Sequence, residues 1–149
     1  MNQAAIDLCY ARLPAEEGVE QFAYNDATGR RVTCQPVGNL SIGIGINLET
    51  GLRPEEMEWL TRNRLRLTDA ALSAFYWYTP LNDARKSAFL DVAFNEGVHS
   101  LLGFVKCIAA AAAGDWATCS AELMNSGPGK DPHLQGRYQK LADMLLNGG

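Results

Sequence analysis

The chain has 149 residues, with 17 acidic and 13 basic side chains and a formal net charge of -4. This length suits one domain, and its 47% hydrophobic and 20% charged residues are ordinary for a globular protein. The acidic balance disfavours a nucleic-acid binder that works through a broad basic surface. No apolar run reaches the roughly 18 to 20 residues that cross a bilayer, so we expect no membrane insertion. The N-terminus also lacks the pattern of a signal peptide.

Four cysteines, Cys9, Cys34, Cys107 and Cys119, are scattered along the chain without a CxxC pair. Zinc ligands cluster at short spacings, so the sequence predicts no metal site. Four thiols allow three disulfide pairings, and no spacing selects one of them. Free, mostly buried thiols are the main expectation. Because Cys107 and Cys119 fall in consecutive predicted helical segments, a bridge between these two stays open.

The first predicted element is a helix over residues 3–17. Its apolar side chains are Ile6, Leu8, Tyr10 and Leu13. Pro14 either kinks this helix or starts a new one, and Gly18 follows as a left-handed C-terminal stop.

The segment from Phe22 to Leu48 has a different character, with β-branched and aromatic residues between turn signals. The sequence predicts a two- or three-stranded meander here. Its last predicted strand covers residues 40–42 and runs into residues 43–45.

Beyond Gly51 the chain is predicted to be helical. The first expected helix runs from Pro54 to about Tyr78 and ends at Pro80, with a break left open near Thr68 and Asp69, and the second runs from about Asn82 to Glu96 and is closed by Gly97. Two further helices are expected over 100–113, which ends in five alanines, and over 116–125, which Asp115 caps. A turn-rich loop at Gly127–Pro132 then leads to a last helix from about His133 to Leu146. The predicted fold class is therefore α+β and mostly helical, with a small sheet lobe near the N-terminus.

Two carboxylates stand nine positions apart, Glu17 at the end of the first predicted helix and Asp26 near the start of the predicted sheet. Groups so placed can face each other across a cleft. Cleavage of a glycosidic bond needs a protonated acid for the leaving oxygen and a second carboxylate for water or for the cation. The glycines at 43 and 45 let a sugar chain approach the backbone. The alternative is that Glu17 pairs locally and Asp26 supports a turn.

Three segments resemble the catalytic signature of the phage-type lysozymes, glycoside hydrolase family 24: Glu17-Gly18, Tyr24-Asn25-Asp26 and Ser41-Ile42-Gly43-Ile44-Gly45. Further segments resemble the helical lobe and the final helix of that family: Ala88–Gly97, Leu101–Phe104, Gly136-Arg137 and Leu141–Leu145. The resemblance implies a lysozyme-like single domain over residues 1–149. A small β lobe at about 18–50 and a helical lobe of 1–17 and 51–149 would then enclose a cleft.

The resemblance also implies a role for each matching residue. Glu17 matches the general acid, and Asp26 matches the carboxylate that positions or activates water. Ser41 stands where the family usually has threonine and keeps the hydroxyl that would hold this water. The residues expected to bind substrate are Tyr24, Gly45, Asn47, Phe94, Asn95 and Arg137.

Simpler alternatives stay open for some of these residues: core packing for Phe94 and a solvated helix face for Arg137. Glu16 projects about 100° away from Glu17 on a helix, so it is not expected to be the acid.

The chain departs from the family pattern in three places. Residues 30–36 form an apparent insertion, which we expect to reshape the rim of the cleft or to restrict access to it. Ile46 stands where many members have histidine. The loop at Gly127–Pro132 stands where relatives often carry a tryptophan.

The predicted activity is hydrolysis of the β-1,4 bond between N-acetylmuramic acid and N-acetylglucosamine in bacterial peptidoglycan, with inversion and without cofactor or metal. Inversion requires carboxyl groups about 6.5–9.5 Å apart, whereas a separation near 5 Å favours retention. The resemblance implies a phage or prophage endolysin, expected to be a monomer in the host cytoplasm until a holin or a secretion or tail apparatus delivers it to the periplasmic cell wall. The alternatives are a lytic transglycosylase and a non-catalytic glycan- or protein-binding module.

Overall fold

The computed structural model of the chain describes residues 2–25, 28, 30–31, 41–44 and 46–149, with the backbone alone for Asn25 and Arg30. Within these residues the chain forms eight α-helices, one 3-10 helix and two antiparallel pairs of strands. The elements are α1 (Gln3–Glu17), β1 (Tyr24–Asn25), β2 (Arg30–Arg31), β3 (Ser41–Ile42), β4 (Ile46–Asn47), the 3-10 helix (Leu48–Thr50), α2 (Pro54–Leu72), α3 (Asp83–Glu96), α4 (Val98–Leu102), α5 (Val105–Ala113), α6 (Trp116–Met124), α7 (Gly127–Lys130) and α8 (Gln135–Asn147). The predicted α+β class with a helical majority is confirmed. Among the described helices, none is both long enough and apolar enough to cross a bilayer.

Helix α1 runs without interruption through Pro14, so the predicted restart at that residue is wrong. Its buried face consists of Ala5, Ile6, Cys9 and Leu13. Leu8 is 45% exposed, because two steps along a helix turn its side chain about 200° from that of Ile6. Gly18 ends the helix as predicted, although its φ of 77° and ψ of 174° lie outside the left-handed helical region. Glycine adopts this positive φ without strain.

In the segment predicted as a meander, the described residues form two short antiparallel hairpins. Strand β1 pairs with β2 through Tyr24 and Arg31, and β3 pairs with β4 through Ser41 and Asn47. Residues 41–42 form a strand as predicted, and residues 43–44, into which that strand was predicted to run, form a turn towards β4. Leu40, the predicted start of that strand, lies outside the described residues. Each strand of these hairpins is only two residues long, which is too short for a hairpin to be stable on its own.

Helix α2 begins at Pro54 as predicted. The Arg53 backbone N–H donates to the Glu56 carboxylate at 2.8 Å, which satisfies an amide at the positive end of the helix.

The predicted extension of α2 to Tyr78 is wrong. The Tyr78 hydroxyl donates to the buried carboxylate of Asp69 at 3.0 Å. Residues nine apart in a straight helix are separated by about 13 Å along its axis. The chain therefore leaves the helix at Ser73, whose hydroxyl donates to the Asp69 carbonyl at 2.7 Å.

Helix α3 lies at the centre of the packed helices and contacts α1, α2, α4 and α8. Its bounds agree with the prediction, because Asn82 caps its first turn by accepting from the Arg85 N–H and Gly97 follows its last residue. Every residue from 87 to 93 is buried. Burial of a side chain such as Phe89 or Leu90 contributes about 1.5–3 kcal/mol, so α3 holds much of the core.

The predicted helix over 100–113 is two helices, α4 and α5, separated at Gly103 and Phe104. Phe104 packs against the core there, and this contact favours the change of direction. Asp115 caps α6 as predicted, since its carboxylate accepts from the Thr118 N–H at 3.0 Å.

The predicted loop at 127–132 contains the short helix α7. The Ser126 hydroxyl accepts from the Gly129 N–H at 3.1 Å and begins this turn. Helix α8 begins at Gln135, slightly later than predicted, and packs against α3, α6 and α7.

Three cysteines, Cys9, Cys107 and Cys119, are free and buried, as expected. Cys34 lies outside the described residues. The sulfur atoms of Cys107 and Cys119 are 3.4 Å apart, whereas a disulfide requires about 2.05 Å. The bridge that the sequence left open is therefore not formed, although its two partners face each other.

Candidate active site

A cleft of about 390 Å³ lies where α1 ends, beside the segment that leads to β1, the first turns of α2 and the end of α3. Its polar lining includes Glu17, Glu20, Thr61 and Arg64, and its aromatic lining is Tyr10, Tyr24 and Phe94. Ligand sites of this kind combine apolar walls with a few polar groups. The cleft therefore has the composition of a binding site for a polar ligand with apolar faces.

Glu17 is placed at the wall of this cleft as the last residue of α1. Its side chain is 39% exposed, so water and ligands reach it. One carboxylate oxygen, Oε1, accepts a hydrogen bond from Arg137 Nη1 at 2.6 Å. Charge-assisted bonds of this length are strong and fix the direction of a carboxylate.

Arg137 reaches Glu17 from α8 and is itself only 7% exposed. The solvated helix face considered for this residue is therefore wrong. Its Nε and Nη2 both donate to Asp91 Oδ1, at 2.9 and 2.7 Å. Burial alone would lower the pKa of Arg137, but attraction from Asp91 and Glu17 raises it above its ordinary value. Arg137 is a permanent cation between two carboxylates.

Asp91 lies on α3 and is fully buried. Its second oxygen, Oδ2, accepts from Arg12 Nη2 at 3.1 Å. The same Arg12 nitrogen donates to the Ser87 carbonyl at 3.1 Å. Four charged side chains, Arg12, Asp91, Arg137 and Glu17, thus form a chain of ion pairs that joins α1, α3 and α8. We call these four side chains the ion-pair chain.

Two of the predicted substrate-binding aromatics lie in the cleft with Glu17. Tyr24 lines it from β1, and Phe94 lines it from α3 while also packing against the core. Both predictions for Phe94, packing and cleft contact, therefore describe part of its position.

Asn95, the next predicted contact, is engaged elsewhere. Its amide donates to Glu96 Oε1 at 2.8 Å, beside the Tyr138 hydroxyl, which lies 3.4 Å from the same oxygen. Burial and the charge of Glu96 raise the pKa of Tyr138. These three polar residues are not among those that line the cleft.

Ser41 and Asn47 face each other across the second hairpin. Ser41 is exposed, whereas Asn47 Oδ1 accepts from the Glu49 N–H at 2.9 Å and caps the 3-10 helix. Asp26 and Gly45 lie outside the described residues. Of the predicted site residues that are described, the structure brings together Glu17, Tyr24, Phe94 and Arg137.

The insertion predicted at 30–36 is described only at its beginning. Arg31 stacks on the Phe22 ring at 3.7 Å and donates to the Glu49 carbonyl at 3.1 Å. Residues 32–36 lie outside the described residues. Arg31 thereby ties the first hairpin to the segment before α2.

Sequence reasoning missed Asp91 and Arg12. The signal for Asp91 was present, because it interrupts the apolar run from Ala88 to Ala93 in a helix that is covered on all sides. A carboxylate in such a run is buried and requires a cationic partner. The partner itself is not visible in the sequence, since it comes from helices far away in the chain.

The chain matches no model of a known protein family, and it matches no curated protein at a significant level. In the part of the chain that the structure describes, no three His, Cys, Asp or Glu side chains gather as metal ligands would.

Proposed function

We propose that the protein is a muramidase of the phage-type lysozyme kind, in which the cleft binds a glycan strand of peptidoglycan and Glu17 is the general acid. The observation that carries this proposal is the position of Glu17. It is a partly exposed carboxylate at the wall of a cleft, oriented by a buried arginine. A carboxyl group that is partly exposed at the wall of a cleft can reach the glycosidic oxygen of a bound strand, as acid catalysis of glycoside cleavage requires on one side of the bond.

The order of the elements supports a lysozyme-like arrangement. A first helix ends in Glu17, short strands follow, and a buried central helix supplies Asp91, which holds Arg137 of the final helix against Glu17. The sequence segments that resemble the phage-type lysozymes occupy these same elements. We therefore extend the proposal to the fold, with the strands forming a small lobe beside the helical one.

In the proposed reaction, Glu17 donates its proton to the glycosidic oxygen as the bond from C1 to that oxygen breaks. Water attacks C1 from the opposite face, and Asp26 takes the proton that this water loses. Ser41 would hold the water through its hydroxyl. Tyr24 and Phe94 provide aromatic faces in the cleft against which a sugar ring can pack.

The test compares the products that purified peptidoglycan releases with the wild-type protein, Glu17→Gln and Glu16→Gln. Glu16 is a matched control, since it is the same residue type one position earlier and pairs with the exposed Lys140 at 2.7 Å. Mass spectrometry should find muropeptides with reducing ends from the wild type and from Glu16→Gln. The Glu17→Gln variant should release none while retaining the wild-type circular dichroism spectrum.

Other outcomes would replace the proposal. Anhydro-muropeptides would identify a lytic transglycosylase. No products from the folded wild type, together with sedimentation of the protein with peptidoglycan, would identify a binding module. Release of products by folded Glu17→Gln would show that another residue is the acid.

We further propose that the enzyme serves as a phage or prophage endolysin, which reaches the cell wall from the host cytoplasm through a holin or another delivery route. Expression in a Gram-negative host tests this setting. The cells should lyse only when a holin is produced with the protein, and lysis should fail with Glu17→Gln.

A further inference from the structure

We propose that Asp91 is a positioning residue for the reaction: it holds Arg137 against Glu17 and places a second negative charge on the guanidinium that faces the acid. This inference rests on the proposed role of Glu17 as general acid. Asp91 lies on α3 and is fully buried, so it acts through Arg137 rather than by touching a substrate.

The geometry begins with a conflict at Glu17. Arg137 Nη1 donates to its carboxylate at 2.6 Å, and a cation at this distance favours the ionised form. A general acid must be protonated before it reacts. A second negative charge close to the same guanidinium reduces this conflict, because it offsets the positive potential at Glu17.

Asp91 is placed to provide that charge. It takes two of the three hydrogen bonds that Arg137 donates to carboxylates, from Nε and from Nη2. These bonds also fix the plane of the guanidinium, so that Nη1 points at Glu17. Water does not screen Asp91, since no part of it is exposed.

Arg12 lies at the other end of the ion-pair chain. Its Nη2 donates to Asp91 Oδ2 at 3.1 Å. The four side chains sum to zero charge when Glu17 is ionised and to +1 when it is protonated. Removal of the Asp91 charge raises both sums by one, whereas removal of the Arg12 charge lowers both by one. The two changes should therefore move the protonation of Glu17 in opposite directions.

Other titratable and charged groups around Glu17 and its ion-paired partners in the described residues are Cys9, Tyr10, Glu16, Glu20, Tyr24, Arg64, Glu96, Tyr138 and Lys140. Glu16 is paired with Lys140, and Glu96 accepts from the Asn95 amide. Glu20 and Arg64 open onto the solvent-filled cleft, where water and salt screen their charges. Asp91 is the fully buried carboxylate among these groups, and it reaches Glu17 through the guanidinium of Arg137.

The test uses Asp91→Asn, Arg12→Gln, the double variant and Arg12→Lys, which retains the positive charge as a matched control. For each, peptidoglycan hydrolysis is measured against pH, and the Glu17 carboxyl carbon is titrated by NMR. In Asp91→Asn the alkaline limb of the pH–activity profile should move to lower pH by about one unit, so that activity at a given pH above the midpoint falls about tenfold. In Arg12→Gln the same limb should move to higher pH. The double variant and Arg12→Lys should stay near the wild type.

A purely structural role for Asp91 gives a different result. The variants would then melt at lower temperatures, but the alkaline limb of the pH–activity profile would keep its position in every variant that folds. That result would overturn the inference. If Asp91→Asn does not fold, Arg12→Gln decides: a limb that does not move up, or that moves equally in Arg12→Lys, overturns it.

The NMR titration separates this inference from the proposed function, because it needs no substrate. A Glu17 titration that moves in opposite directions in the two single variants supports the charge coupling even if no peptidoglycan is cleaved, in which case the muramidase proposal fails alone. Cleavage that depends on Glu17, with a titration that none of the variants moves, leaves the muramidase proposal and overturns the role of Asp91.

Discussion

Arg137 and Glu17 are 120 positions apart in the chain, yet Arg137 Nη1 lies 2.6 Å from Glu17 Oε1. The contact joins α8 to the end of α1, and Asp91 on α3 holds the same guanidinium from the other side. The orientation of Glu17 at the cleft therefore depends on the correct packing of three helices. A site built in this way is rigid, but it is coupled to the stability of the whole helical region.

The first prediction concerns this coupling. Arg137→Met should lower the free energy of unfolding by about 3–5 kcal/mol, because it removes one partner from the fully buried Asp91. Lys140→Met on the same helix is the control. Lys140 pairs with Glu16 but is 65% exposed, so its loss should cost less than about 1 kcal/mol. Urea unfolding measures both, and equal losses would contradict the importance of the buried pair.

The second prediction compares two glycines. A Cβ atom at Gly129 would lie 2.5 Å from the Leu123 carbonyl oxygen and 2.7 Å from that of Met124. Both neighbours are backbone atoms and cannot move aside cheaply. Gly129→Ala should therefore destabilise the protein by about 1–3 kcal/mol. A Cβ at Gly136 meets no atom within 4 Å, and alanine in this helical position should stabilise by about 0.5–1 kcal/mol.

Thermal melting of the two variants gives the comparison directly. A melting temperature that rises in both would mean that α7 shifts away from α6 without cost. The short helix α7, which the sequence did not predict, would then not be a fixed element of the fold.

The starts of α2, α3 and α6 were predictable from the sequence because helix caps are local. Pro54, Asn82 and Asp115 each act within one turn of the helix that they begin. The end of α2 was not predictable, since it depends on the contact between Tyr78 and Asp69, which exists only in the folded chain.

The same distinction applies to the site. The place of Glu17 at the end of the first helix was predictable from the glycine that follows it, and Tyr24 and Phe94 lie with it in one cleft. Arg12 and Asp91 contribute only through contacts between distant helices. A charged residue inside an apolar run signals that such a contact exists, but not with which residue.

The third prediction is a loss of stability at alkaline pH that depends on Cys9. Burial raises the pKa of the Cys9 thiol to about 12, against an ordinary value of 9.0. The folded state therefore keeps the thiol neutral at a pH where the unfolded chain ionises it. The stability that the folded state gains from keeping this thiol neutral is complete below about pH 9. The free energy of unfolding then falls as the pH rises towards 12, by up to about 1.4 kcal/mol per pH unit.

Urea unfolding of the wild type and of Cys9→Ala at pH 8, 9 and 10 measures this effect. The free energy of unfolding of the wild type should fall more steeply above pH 9 than that of the variant, which lacks the thiol. Burial also raises the pKa values of Tyr78 and Tyr138, which both proteins retain, so the prediction concerns the difference between the two slopes. Parallel curves would contradict the prediction.

The fourth prediction concerns the facing thiols of Cys107 and Cys119. Their sulfur atoms are 3.4 Å apart in the α5–α6 pair. A diazene oxidant such as diamide should convert the two thiols into one disulfide, with the two hydrogens transferred to the oxidant. Both side chains are buried, so the reaction should be slow in the native protein and faster in mild urea, which opens the helix pair.

Peptide mapping of the oxidised protein should find the bridge between Cys107 and Cys119, with Cys9 still reduced. Closing a loop of this length stabilises a protein by about 3 kcal/mol when the native geometry accepts the bond, so the oxidised form should unfold at a higher urea concentration. The matched control is Cys119→Ala, which removes one partner and should gain no stability from oxidant. If the bridged protein unfolds earlier than the reduced one, closing the gap between the sulfurs strains the packing of α5 on α6 by more than the loop closure gains.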